Sequence, residues 1–159
     1  MIQRVQTIYL LFVAILSALI YLFDIAFYKL GNEIVYRYSI YKIIPEDGSD
    51  VIVPGNWMMQ AILITLIIAI AIFSISRFKH RKIQLKLGMI NYLLLAALIL
   101  NFYFSIENTL PVLLENGTEL KPVYYIGFYL PIAAVSFQFL ANRGIKKDEE
   151  LVRSVDRLR

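Results

Sequence analysis

Four stretches of this chain, residues 5–23, 57–76, 87–106 and 123–142, contain no Asp, Glu, Lys or Arg. Each is about 19–20 residues long and dominated by aliphatic and aromatic side chains, and a helix of roughly 20 residues crosses about 30 Å of hydrocarbon. A backbone in lipid must satisfy its own hydrogen bonds, so each run is expected to be helical. Stretches such as AILITLIIAIAIF (61–73) would suit a buried strand in water, a preference that loses weight in a bilayer. The sequence therefore predicts an all-α membrane protein with four transmembrane helices in a bundle. The spans are placed at about 5–27, 57–76, 87–106 and 123–142, the first extended beyond Phe23 to take in Asp24 near its outer end. The first run exceeds the usual length of a signal-peptide core, and SALIYLF is followed by no small-residue cleavage site, so it reads as a retained span.

Lys and Arg near span ends set orientation. Arg4, the loop cations Arg77, Lys79, Arg81, Lys82 and Lys86, and the tail cations Arg143, Lys146, Lys147, Arg153, Arg157 and Arg159 make twelve of the sixteen basic residues. All twelve fall on one side. The other side holds Lys29, Arg37, Lys42 and Lys121 among eight acids. Both termini and the 77–86 loop are thus expected in the cytoplasm. The basic loop needs only this rule, and no nucleic-acid partner is expected. Tyr9 at the inner border, and Tyr28, Trp57, Tyr103, Tyr124 and Tyr125 at the outer one, fit an interfacial belt.

The outer loops, 28–56 and 107–122, carry strand signals. In EIVYRYSIYKII (33–44), Ile34, Tyr36, Tyr38, Ile40 and Ile44 alternate with Arg37, Ser39 and Tyr41, which predicts a half-buried strand. PEDGSD (45–50) reads as a turn and VIVP (51–54) as a returning strand. Asn116-Gly117 suits a tight turn between LPVLL and ELKPVYY. Together these predict a small extracytoplasmic β cap.

Chemistry is sparse. The chain has no Cys and one His, His80, which excludes disulfides, thiolate ligands and paired-His metal sites. No zinc-protease, phosphate-loop or dinucleotide-binding motif occurs, so no catalytic residue, metal or cofactor is expected. Asp24, Asn91 and Asn101 form the candidate intramembrane polar site, since polar groups at membrane depth are functional candidates by default. Asn91 and Asn101 are nearly three helical turns apart and can face one way.

The start MIQRVQTIYLL and the end GIKKDEELVRSVDRLR, with four apolar runs between, resemble an uncharacterised family of small four-span inner-membrane proteins from Bacteroidota. The resemblance implies that membrane and carries no catalytic residues with it.

The tail 146–159 is predicted to be a cytoplasmic amphipathic helix. Leu151, Val155 and Leu158 share a stripe, Glu149 precedes Arg153 by four residues, and Asp156 and Arg157 add polar register. Five basic and four acidic side chains nearly cancel, which weakens a lipid-surface reading. A solvated end with no role is the bland alternative. Docking of the apolar stripe on a cytoplasmic protein or on the basic 77–86 loop, whose cations can meet Asp148, Glu149 and Glu150, leads. The leading expectation is a non-enzymatic subunit or accessory protein, in contact with the bilayer and with partner proteins through cap and tail. A small-molecule or ion carrier using Asp24, Asn91 and Asn101 stands second, and a lipid-acting membrane enzyme third.

Overall fold

The computed structural model describes residues 2–50, 52–53, 56–78, 80–113 and 120–156. Its four helices are α1 (Ile2–Leu19), α2 (Trp57–Ser76), α3 (Arg81–Leu113) and α4 (Ile126–Asp156), and its four strands are β1 (Ala26–Leu30), β2 (Glu33–Tyr38), β3 (Ile43–Pro45) and β4 (Lys121–Tyr124). The protein is mostly helical with one small antiparallel sheet. Helix α1 packs on α2 and α4, and α3 also packs on α2 and α4, which closes a ring. Two helical stretches, Trp57–Ser76 and Arg81–Pro111, are long and apolar enough to cross a membrane, while the apolar part of α1, Val5–Leu19, is shorter.

The sheet forms where α1 and α3 end and α2 and α4 begin. Its order is β3-β2-β1-β4, with every neighbouring pair antiparallel. The expected first span, about 5–27, is corrected here: the helix stops at Leu19 and Ala26 opens a strand. Apolar content could not separate the two, because AFYKL is as greasy as a helix end. Tertiary bonds decide it. The Ile25 amide donates to the Tyr38 carbonyl at 2.8 Å, and the Tyr125 amide donates to the Ile25 carbonyl at 2.9 Å. Gly31 and Asn32 then link Leu30 to Glu33 in a two-residue hairpin, with Gly31 at φ 62°. A positive φ at the first central position alone is the arrangement that asks for glycine there.

The single strand expected over 33–44 is instead two. The Ser39 amide and hydroxyl both bond the Lys42 carbonyl at 2.9 Å, closing a turn between β2 and β3. This turn shifts the phase, so that Tyr38 pairs with Ile43, and Ile43 rather than Ile44 is fully buried. The expected return strand 51–54 reduces to a bridge between Ile52 and Ile43; Val51 and Pro54 lie outside the described residues. The expected pairing of LPVLL with ELKPVYY is also overturned. Residues 110–113 extend α3, and β4 pairs with β1. Pro122 is tolerated in β4 because that strand is at the sheet edge. Asn116 and Gly117 lie outside the described residues.

The core runs from the sheet into the ring. Tyr28, Tyr38 and Ile43 from the sheet join Ile64 and Ile67 of α2 and Leu98, Phe102 and Ile106 of α3 in one buried cluster. The Tyr28 hydroxyl donates to the Ile106 carbonyl at 2.9 Å, so Tyr28, expected at the outer border, is a fully buried peg between sheet and helix. At the other end α4 does not break at Gly144. A Cβ there would stand 3.0 Å from Gln6 Cγ, so this glycine serves the close approach of α1 and α4.

Candidate functional site

Two separate networks of polar side chains inside the ring take in residues of the expected polar site. The first lies beneath the sheet. Gln60 of α2, fully buried, donates from Nε2 to the Tyr38 hydroxyl at 3.0 Å and to Ser105 Oγ at 3.0 Å. Ser105 Oγ donates to the Asn101 carbonyl at 2.6 Å, and Asn56 Nδ2 donates to Ser105 Oγ. Burial raises the Tyr38 hydroxyl above its ordinary pKa, against the lowering effect of the Gln60 and Ser105 hydrogen bonds. It is therefore a neutral hydrogen-bonding group at physiological pH. The second network joins α3 to α4. Asn91 Nδ2 donates to Gln138 Oε1 at 3.0 Å, and Gln138 Nε2 donates to Asn142 Oδ1 at 2.9 Å. Gly88 leaves room for the Asn142 carboxamide.

The three residues of the expected polar site are thus not brought together. Asn91 belongs to the second network and Asn101 to the first, about 15 Å apart along α3 at helical rise. Asp24 sits in the turn between α1 and β1, half-buried, with its carbonyl accepting from the Gly127 amide at 2.9 Å. Gln60, Ser105 and Tyr38 carry the first network. Gln60 stands out in the sequence as a polar residue within the apolar run 57–76, but its Tyr38 partnership depends on the sheet.

Burial raises the Asp24 carboxyl above its ordinary pKa, with Arg37 and Lys42 pulling the other way. A raised folded-state pKa means that the fold favours the protonated form. Its contribution is fully present below the ordinary value of 3.8 and is lost as pH rises through the folded-state value. Asp24→Asn is therefore expected to melt above the wild type near neutral pH, with the gap closing as the pH approaches about 4. Melting curves in detergent across that range check this; a gap that widens on acidification is the contrary result.

At the end of the ring opposite the sheet, residues 146–156 of the tail are the last part of α4 rather than a separate helix. Arg81 Nε lies 2.8 Å from Asp148 Oδ2, an ion pair of two mostly covered side chains that ties the tail to the start of α3. Beside it is a hollow of about 460 Å³ lined by His80, Arg81, Lys82, Ile83, Glu149 and Val152. Leu151 and Val152 are exposed, at 48% and 41%. Of the remaining expected docking residues, the side chains of Arg153, Val155 and Asp156, and all of Arg157 and Leu158, lie outside the described residues. Among the described residues no group of three or more His, Cys, Asp or Glu could hold a metal ion.

A ring of four helices capped at one end by an antiparallel sheet, with apolar side chains on its outer surface, defines the class of this protein. Residues 2–158 match a family described as a domain of unknown function, DUF4293, and the chain belongs to that family. None of the curated proteins and none of the solved structures compared with it matches.

Proposed function

We propose that this protein is a non-enzymatic subunit of a bacterial inner-membrane complex. In this reading all four helices cross the bilayer, the sheet lies outside, and both termini and the 77–86 loop lie in the cytoplasm. The ring's outer surface supports it. Ile8, Leu11 and Ile15 of α1, Ile62, Leu66 and Ile72 of α2, and Leu93, Leu100 and Phe104 of α3 are all exposed. A continuous apolar belt of this extent is far beyond what a monomer keeps in water. Tyr41 and Trp57 (ring centroids 6.1 Å apart) and Phe27 and Tyr125 (4.4 Å) mark the sheet end with aromatic groups, as an interfacial belt requires. Helices α3 and α4, about 50 Å and 46 Å long at helical rise, outlast the hydrocarbon and project beyond it.

The observation that carries the partner-binding reading is the held tail. An isolated helix as short as this tail is marginal in water. Here it continues α4 and is pinned by Arg81–Asp148, and it presents Leu151 and Val152 beside a hollow of both charge signs. That is a helical surface on which a cytoplasmic partner domain can seat. Leu151→Asp with Val152→Asp is expected to shift the protein, in native gels of gently solubilised membranes, from a larger complex to its own size. Its melting temperature should change little. Migration of wild type and variant at one identical size would refute the proposal.

A further inference from the structure

A groove of about 650 Å³ lies between α3 and α4, near the tail end of the ring. It is lined by the apolar walls of Leu85, Met89 and Phe139, by Tyr92 and Asn142, and by the exposed cations Arg143 and Lys146 at its rim. We infer that this groove binds one anionic phospholipid, with the phosphate on Arg143 and Lys146 and an acyl chain along Met89 and Phe139. The inference rests on the membrane reading above.

Four observations converge on that ligand. The walls are apolar and open sideways: Met89 is 69% exposed and Phe139 54%, so a chain can enter from the bilayer. The rim is cationic. Arg143 and Lys146 make no ion pair among the described residues, no carboxylate lines the groove, Asp148 is held by Arg81, and Glu149 lines the other hollow. The depth is right as well. Arg143 lies seventeen residues beyond the start of α4 at Ile126, about 26 Å along the axis, close to the far edge of the hydrocarbon. The Tyr92 hydroxyl is buried without a hydrogen-bond partner, and a lipid ester or phosphate oxygen would supply an acceptor for it. Free inorganic phosphate would use the rim and leave the apolar walls unexplained. Basic clefts between membrane helices at the cytoplasmic border suit anionic headgroups in general.

The test is lipid retention by full-length protein reconstituted in phosphatidylcholine bilayers doped with phosphatidylglycerol, then counted by native mass spectrometry after detergent extraction. Wild type is expected to retain phosphatidylglycerol over phosphatidylcholine. Arg143→Gln with Lys146→Gln should lower that retention roughly 25-fold, each cation near the headgroup being worth about fivefold. Met89→Trp, which fills the wall, should lower it with the cations intact, and Lys147→Gln, outside the groove, should leave it unchanged. Equal retention of the two lipids, equal retention by wild type and the double variant, or displacement of the lipid by inorganic phosphate would overturn the inference. Alkaline carbonate extraction separates the two readings. Release of the protein from membranes sinks the membrane reading itself, whereas a protein that stays embedded without lipid preference sinks only this site.

Discussion

Gly127→Ala will destabilise the protein by about 1–2 kcal/mol, whereas Gly88→Ala will stay within about 0.5 kcal/mol of wild type. The contrast comes from what each new methyl group meets. At Gly127 a Cβ would stand 2.6 Å from the Asp24 carbonyl oxygen, 2.9 Å from its carbon and 3.1 Å from Ile25 Cα. All three are backbone atoms, and they are held on several sides. The Gly127 amide donates to the Asp24 carbonyl, while Ile25 bonds both Tyr38 and Tyr125 through its main chain. Nothing can swing aside, so relief requires shifting the start of α4 against β1. Overpacking of that kind costs about 1–3 kcal/mol, only partly offset by alanine's better helix propensity. At Gly88 the new Cβ would land on the Asn142 carboxamide, the end of a flexible side chain. Moving it forfeits the bond from Gln138, about 1 kcal/mol, and the propensity gain is of similar size. Thermal unfolding in detergent distinguishes the sites, and equal melting temperatures for the two variants would contradict the account.

The same junction marks the limit of what the sequence reveals. The four apolar runs foretell helices because length and composition alone identify them, and α2 coincides with its run from Trp57 to Ser76. The end of α1 is not legible, since the chain stays uncharged from Leu19 to Phe23 and holds no Gly or Pro up to Ile25. What stops the helix is main-chain pairing with Tyr38 and Tyr125, residues far away in sequence. One local signal does exist: Gly31-Asn32 between AFYKL and EIVYRY is a two-residue hairpin pattern. The far end of α3 fails for the opposite reason. Pro111 and the turn-rich residues after it suggest a hairpin flank, yet a proline so near a helix end costs few intrahelical bonds, and Thr109 Oγ1 donates to the Ser105 carbonyl at 2.7 Å along the same turn. For the polar residues, type was legible and grouping was not. Asn91 and Asn101 share helix α3, but their partners, Gln138 on α4 and the Gln60–Ser105 pair, split them into separate networks. Periodicity on one helix cannot say which neighbour each residue faces.

Gln60→Leu is expected to cost about 2 kcal/mol, and Tyr38→Phe about 1 kcal/mol. The double variant should cost about 1 kcal/mol less than the sum of the singles. Gln60 is fully buried and spends both Nε2 hydrogens, one on the Tyr38 hydroxyl and one on Ser105 Oγ. Leucine removes both donors and strands a tyrosine hydroxyl in an apolar core, where an unmet polar group costs about 1–3 kcal/mol. Some of this is returned, because Gln60 Oε1 is itself buried without a partner and leaves with the side chain. Removing the Tyr38 hydroxyl as well takes away the stranded group, which is why the pair should be less than additive. Ser105 limits the recovery: it keeps its bond to the Asn101 carbonyl and its contact with Asn56, so the network contracts without emptying. These bonds join three elements, β2, α2 and α3, so the loss should appear as detachment of the sheet from the ring before the helices separate. Hydrogen exchange at the β1 and β2 amides would then accelerate in Gln60→Leu more than exchange in the middle of α2. Strict additivity in melting, or exchange that rises equally in sheet and helices, would mean that the apolar contacts of Tyr28, Ile43 and Phe102 hold the cap by themselves.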